Sequence, residues 1–321
     1  MEMEVQRMRV FVAGLVLVAC LPANALAQAP PVGPLLLITP ATPRTAALGN
    51  AWVAGRDQEV LFYNPAQLIG SRTGLDVNIT RHGTKGTTFG LGSVYTGGKW
   101  SLTLGWGVQF ADFKPPLSMA YPYSPDVLLA DGSASGQSTL AAVGGAITWK
   151  GFRFGAAGKY ASDRVQMPSN FINATQLPTI NHGVFVADIG VARNIVGGVG
   201  GFSVQNLGGD SNGDGTGIKA PRQALMGWSM SRAVGPLDMT VVSQLTLRHD
   251  WQAPAGGLEV GYSWIEGYFV SLRAGVRRPE ADSERPFTLG AAFTADRLTI
   301  EYGVQFYEGG KASNGVTVRW R

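Results

Sequence analysis

Residues Trp100 to Phe110 read WSLTLGWGVQF. Trp100, Leu102, Leu104, Trp106, Val108 and Phe110 alternate with Ser101, Thr103, Gly105, Gly107 and Gln109, so one face is wholly apolar and the other small or polar. A period of two belongs to a β-strand, whose successive side chains point to opposite faces. Ten residues at ~3.3 Å each, tilted by ~40°, rise about 25 Å, the height of the lipid-facing band of a membrane β-barrel. Aromatics stand at both ends of the stretch. The apolar face is then expected to meet lipid and the polar face to line a lumen.

The same pattern recurs along the chain. Leu258, Val260, Tyr262 and Trp264 oppose Glu259, Gly261 and Ser263; Leu298, Ile300, Tyr302, Val304 and Phe306 oppose Thr299, Glu301, Gly303 and Gln305. Charges fall on the polar face each time, which makes Glu259, Arg273, Glu301 and Arg319 lumen-facing residues able to pair across strands. From Gly74 onward about fourteen strands can be drawn, an even number as single-chain bacterial barrels require. Connections alternate between short ones, such as Lys150-Gly151, Glu266-Gly267 and Asp296-Arg297, and mostly long ones, such as Ala111 to Gln137, Ala161 to His182 and Leu207 to Pro221. Short inner turns with longer outer loops are the habit of outer-membrane barrels. Val316, Val318 and Trp320 give the aromatic-ended last strand that the barrel assembly machinery reads, although Arg321 follows it. Gly105 and Gly107 are expected to let the third strand bend beside a lateral opening. The fold expected is all-β: an antiparallel transmembrane β-barrel of about fourteen strands over 74–321, with a small helical hatch in its lumen.

Composition agrees. With 44 Gly and 15% charged residues, the chain lacks the Lys and Glu that coat soluble helical proteins. Its net charge of +4 is spread over many segments, and no basic stripe interleaved with aromatics points to nucleic acid. Arg7 and Arg9 precede the apolar run Val10 to Leu21, and Ala25-Leu26-Ala27 offers a small-residue cleavage site, giving a signal peptide over 1–27. Leu17-Val18-Ala19-Cys20 also fits a lipoprotein box, with the sole cysteine as the lipidated residue. No apolar run of ~18 residues follows, so no membrane-spanning helix is expected.

Residues 28–73 are read as the hatch. Gln28 to Leu37 is proline-rich and expected to be extended. Thr42-Pro43 is a good helix start, threonine capping free amides and proline losing nothing at the first position, and a helix over Arg44 to Val53 is expected. Asn64-Pro65 repeats the logic for a second helix through Leu68. Both are too short to persist alone, so they must pack on the barrel wall.

Two stretches resemble the PorV/PorQ family, a branch of the FadL-type outer-membrane barrels. Arg44, Leu48-Gly49, Ala51, Val53-Ala54, Asp57 and Asn64-Pro65-Ala66 fall in the order of its R..MG.A..A..D......NPA pattern, with Leu48-Gly49-Asn50 where methionine and a second glycine are common. Gln205-Asn206-Leu207-Gly208, followed after a variable loop by Pro221 and Arg222, is similar to its strand ending in QNLG. The resemblance implies a fourteen-stranded outer-membrane barrel with an N-terminal hatch, in which Arg44, Gly49, Asp57, Asn64, Pro65 and Ala66 pack or gate. It also implies one of two functions: binding and passage of hydrophobic small molecules of the fatty acid or aromatic class, or a non-conducting accessory of type IX secretion that binds secreted cargo proteins.

Other constellations carry less. Asp210, Asn212 and Asp214 copy the first half of a calcium loop, but Pro221 stands where the bidentate glutamate belongs, so a flexible outer loop is the favoured reading and no metal or cofactor is expected. His82, His182 and His249 lie far apart, with no nucleophile or metal-ligand spacing around them, so no enzyme is expected. Pro115 to Tyr123 is an apolar outer loop suited either to catching a ligand or partner or to closing the mouth.

Overall fold

The computed structural model describes residues 34–82, 86–97, 102–113, 135–166, 179–195, 197–208, 220–248, 251–280 and 284–321. The signal peptide, Asp210, Asn212, Asp214, His249 and the loop Pro115 to Tyr123 lie outside them, as do Trp100 and Ser101.

Fourteen antiparallel strands close into one barrel. They are β1 (Gly74–His82), β2 (Gly86–Thr96), β3 (Thr103–Phe113), β4 (Ser135–Trp149), β5 (Phe152–Gln166), β6 (Thr179–Ile195) and β7 (Gly198–Gly208). They continue with β8 (Gln223–Val234), β9 (Leu237–Arg248), β10 (Trp251–Ile265), β11 (Tyr268–Arg277), β12 (Glu284–Ala295), β13 (Leu298–Tyr307) and β14 (Ala312–Trp320). Each strand pairs with its chain neighbours, and β1 pairs with β14 from Leu75↔Trp320 to His82↔Ser313, so no edge is left open.

Exposure alternates along the strands in the sense that the sequence period demands. In β3 the outward Leu104, Trp106 and Phe110 are 43–49% exposed, while the inward Thr103 and Gln109 are 1% and 3% exposed. A continuous apolar exterior of this kind far exceeds the patches that water-soluble monomers tolerate, and a closed barrel is one of the two architectures that satisfy every backbone group in lipid.

Residues 34–73 lie inside the barrel. A 3₁₀ turn over Leu35–Leu37 leads to helix α1 (Pro43–Ala47), then to 3₁₀ turns over Gln58–Phe62 and Pro65–Gly70. Thr42 caps α1 through its hydroxyl, which accepts from the Thr45 amide, and Thr45 Oγ1 accepts from the Thr42 amide in return. Asn64 caps the Pro65 turn in the same way, its carbonyl accepting from the Ala66 amide.

Several local expectations need correction. The first helix ends at Ala47 rather than Val53, because Gly49 and Asn50 take positive φ values of 68° and 63°, which turn the chain out of the helix. The Leu35–Leu37 segment is a turn rather than extended. The wall shows no lateral opening at the β3 glycines: the strand stays paired in register with β2 and β4 from Thr103 to Phe113. A Cβ on Gly105 would stand 2.8 Å from Leu68, and one on Gly107 2.8 Å from Phe62. These glycines make room for the inner segment. Beyond the alternating stretch Leu258 to Trp264, β10 starts at Trp251 and runs through Pro254, where the ladder to β9 continues but that to β11 has already ended at Ala255↔Arg277. Proline's missing donor is tolerated there because it faces no partner strand.

Candidate functional site

The inner segment is held to the wall by a buried ionic cluster. Arg44 on α1 reaches Asp57 at 2.6 Å and Glu259 of β10 at 3.1 Å. Arg273 of β11 bonds Glu259 at 3.1 Å and Glu301 of β13 at 2.9 Å. Arg319 of β14 reaches Glu59 at 2.8 Å and Glu301 at 3.4 Å, and Arg321 closes on Asp57 at 2.6 Å. Asp76 of β1 stands 3.9 Å from Arg319. The four residues expected on the lumen face, Glu259, Arg273, Glu301 and Arg319, thus meet one another and meet Arg44 and Asp57 of the inner segment. Glu59, Asp76 and Arg321 complete the group; Asp76 and Arg321 carry charge at the inward parity of β1 and β14, whereas Glu59, in the Gln58–Phe62 turn, has no such signal in the sequence.

Charge balance inside the cluster is uneven. Asp57, Glu59, Asp76, Glu259 and Glu301 face Arg44, Arg273, Arg319 and Arg321, which leaves one carboxyl without a matching guanidinium. Burial alone would raise the Asp57 pKa, but Arg319, Arg44 and Arg321 hold it well below the usual carboxylate range. Glu59 goes the other way. Its burial, reinforced by the nearby Asp57 and Glu301 carboxylates, outweighs Arg319 and Arg44 and raises its pKa.

A second set of contacts fixes the Asn64-Pro65-Ala66 corner. Asn64 is fully buried and donates through Nδ2 to the carbonyls of Val53 at 3.0 Å and Val191 at 3.2 Å. A Cβ on Gly190 would lie 2.0 Å from Asn64 Oδ1, and one on Gly155 2.3 Å from the Ala66 nitrogen, so only glycine lets strand and corner approach this closely. Gln205 of β7 donates to the Phe62 and Tyr63 carbonyls at 2.8 and 2.6 Å, and Gln223 donates to Gln205 at 2.7 Å. Asn206, at φ 57°, donates its amide to Asp188 at 2.9 Å and its side chain to the Pro221 carbonyl at 2.9 Å. Asp188 is paired with Lys159 at 2.5 Å. Gln205 is therefore a support for the inner segment, while Asn206 ties β7 to β6 and to Pro221, where the β6–β7 register shifts between Ala187 and Ile189. Leu207 and Gly208 extend β7 toward the rim, where the Gly208 carbonyl accepts from Arg222 at 2.8 Å. Gly49 lies far from this corner: a Cβ there would meet the Val276 carbonyl of β11 at 2.6 Å.

Higher in the lumen, toward the long connections, lies a further apolar patch of wall. Leu140, Ala161, Val184 and Val186 face inward and are covered by Leu36 and Leu37. The turn carrying those leucines is tied down where Asp163 accepts from the Leu35 amide at 2.9 Å; Ser138 donates to the other Asp163 oxygen. Beside it is a cavity of about 40 Å³ between Leu36, Phe62, Leu225, Lys159, Gln205 and Arg248. That is room for water but well short of the ~150 Å³ known to take a benzene ring. No signal in the sequence marked Leu36 and Leu37, because a run of three leucines after prolines reads as ordinary extended chain. His82 is hydrogen-bonded to Thr88 at 2.9 Å and Ser313 at 2.7 Å, within the wall.

No family model matches this sequence, and no curated protein sequence does. Solved structures do match in shape. The Ralstonia pickettii toluene transporter TbuX aligns with a TM-score of 0.56 at 13% identity, covering 87% of this chain and 98% of that one. The Pseudomonas putida toluene transporter TodX aligns at 0.55 and 9%, covering 86% and 95%. At such identities the likeness is one of fold, and the fold of this chain is the closed, fourteen-stranded, FadL-like barrel.

Proposed function

We propose that this chain sits in the bacterial outer membrane and passes hydrophobic small molecules, of the fatty acid or aromatic class, beyond an N-terminal hatch formed by residues 34–73. One observation carries the reading. Toward the long connections, an apolar patch of wall formed by Leu140, Ala161, Val184 and Val186 is covered by two leucines of the chain's own N-terminal segment, as a ligand would cover it. Those leucines sit on a three-residue turn that cannot be stable by itself. Withdrawing it would join the patch to the adjoining cavity and make a site with an apolar floor and a few polar groups, the usual make-up of a small-molecule pocket. The resemblance in fold to two toluene transporters supports the same class of ligand.

The cargo-binding alternative rests on the motif resemblance alone. Asn64 and Gln205 are buried and spent on packing the hatch, and Asn206 is buried and bonded to Asp188 and Pro221, so they offer a protein partner no surface.

Uptake of radiolabelled toluene and oleate into proteoliposomes tests the proposal. Faster uptake than by protein-free vesicles is expected, and faster still with Leu36→Asp/Leu37→Asp, which prevents the leucines from covering the patch. Equal flux with and without protein would sink it.

A further inference from the structure

On the outer surface, at the short-turn end of β4, β5 and β6, two cations lie on aromatic rings. Lys150 Nζ sits 4.8 Å from the centre of the Trp149 ring, and the Arg193 guanidinium 4.5 Å from that of Phe152. The register places these groups side by side, Trp149 opposite Phe152 and Phe152 opposite Arg193. Phe154 joins the rings, 6.4 Å from Trp149 and 6.1 Å from Phe152. Arg193 shares the outward parity of Phe185 and Ile189, while its neighbour Ala192 is buried inward. Among the described residues, neither Lys150 nor Arg193 makes an ion pair, and the segments 149–154 and 191–195 contain no carboxylate. Toward the middle of the membrane the same face continues as Ile147, Phe154 and Ile189, all exposed.

This is a graded surface: cations at the rim, aromatic rings beneath them, then aliphatic side chains. Each ring fixes its cation by the attraction of the π-face, so little side-chain freedom remains to be lost on binding. Aromatics of this kind stand at the level of lipid headgroups in membrane barrels, and basic groups there attract anionic lipids. The geometry points to a docking site for one anionic phospholipid of the leaflet at the short-turn end. Its phosphate bridges Lys150 and Arg193, and an acyl chain lies along Phe154, Ile147 and Ile189. The shared chemistry is that of a phosphate; the apolar track running on from the cations selects the lipid over the free ion. The inference rests on the membrane-spanning reading and not on what the lumen carries.

Quenching of Trp149 by brominated lipids tests it. The full chain is reconstituted into phosphatidylcholine vesicles containing either dibromo-phosphatidylglycerol or dibromo-phosphatidylcholine, and the Trp149 signal is taken as the difference from Trp149→Phe. The expected result is preferential quenching by the phosphatidylglycerol, with a relative affinity of about fivefold for each cation. Lys150→Ala/Arg193→Ala should abolish the preference, and Lys150→Arg/Arg193→Lys should restore it. Both changes are at exposed positions, and strand content by circular dichroism checks that the variants fold. Equal quenching by the two lipids in the parent, or an unchanged preference in the alanine pair, overturns the site. Loss of the preference on adding inorganic phosphate at constant ionic strength would reassign it to the free ion and overturn lipid docking. If neither lipid quenches Trp149, the membrane-spanning reading itself fails, whatever the uptake assay shows.

Discussion

At the scale of single residues, Asp57 and Glu59 stand two positions apart and answer pH in opposite senses. The Asp57 carboxyl is held below its ordinary range, so on acidification the unfolded chain takes up that proton first. Its contribution to stability is whole above the ordinary value and is lost as pH falls through the folded one. Glu59 is raised, so the folded chain keeps its proton longer; its contribution is whole below the ordinary carboxylate range and is lost as pH rises through the folded value. Asp57→Asn should therefore destabilise the protein near pH 8, with a cost that shrinks on acidification. Glu59→Gln should gain on the parent as pH rises above the ordinary carboxylate range, since glutamine avoids the buried charge. Urea unfolding in detergent micelles at several pH values reads both, and parallel pH profiles for the two variants would refute the assignment.

At the scale of elements, the Asn64-Pro65-Ala66 corner and the β5–β6 wall are fitted to each other through absent side chains. Gly190→Ala would drive a Cβ into Asn64 Oδ1, and overpacking of this kind costs about 1–3 kcal/mol. Because the clash is with one side chain, Asn64→Ala should relieve it, and the double variant should be less damaged than the sum of the singles. Strict additivity in thermal unfolding would show that the corner is not seated on Gly190. The motif that pointed to this corner was legible in the sequence as a capped turn. Its seat was not, since Gly155 and Gly190 read there as ordinary strand glycines, 91 and 126 positions away in the chain.

At the scale of the whole molecule, the two faces of a strand fail in different ways. Val108→Arg, at outward parity in the middle of β3, puts a charge into lipid near the midplane and should cost about 2–4 kcal/mol, seen as a lower folded fraction in liposomes. Judged from the strand alone, Thr103→Arg should be mild, because it points into the lumen. The lumen is filled, however. Thr103 is 1% exposed, on the face that packs Leu68 through Gly105. An arginine there should displace the inner segment and, on the proposed function, raise single-channel conductance while leaving insertion nearly intact. Reduced insertion without a conductance change would place the inner segment elsewhere.

By itself the sequence determined the approximate strand number, the facing of its clearly alternating strands and most of the sorting of short from longer connections. These are local properties: the period of two and the turn residues are written within a dozen positions, and the lipid enforces one sign of alternation on every strand. Only the tertiary structure decided which charges meet. Arg44 and Glu259 stand 215 residues apart, and Arg319 and Glu59 are separated by 260. They touch because closing β1 onto β14 brings both ends of the chain around one lumen. The same closure gave Leu36 and Leu37 their wall. A hydrophobic residue in an irregular segment has no periodicity to betray its partner, and its partner exists only once the barrel has closed.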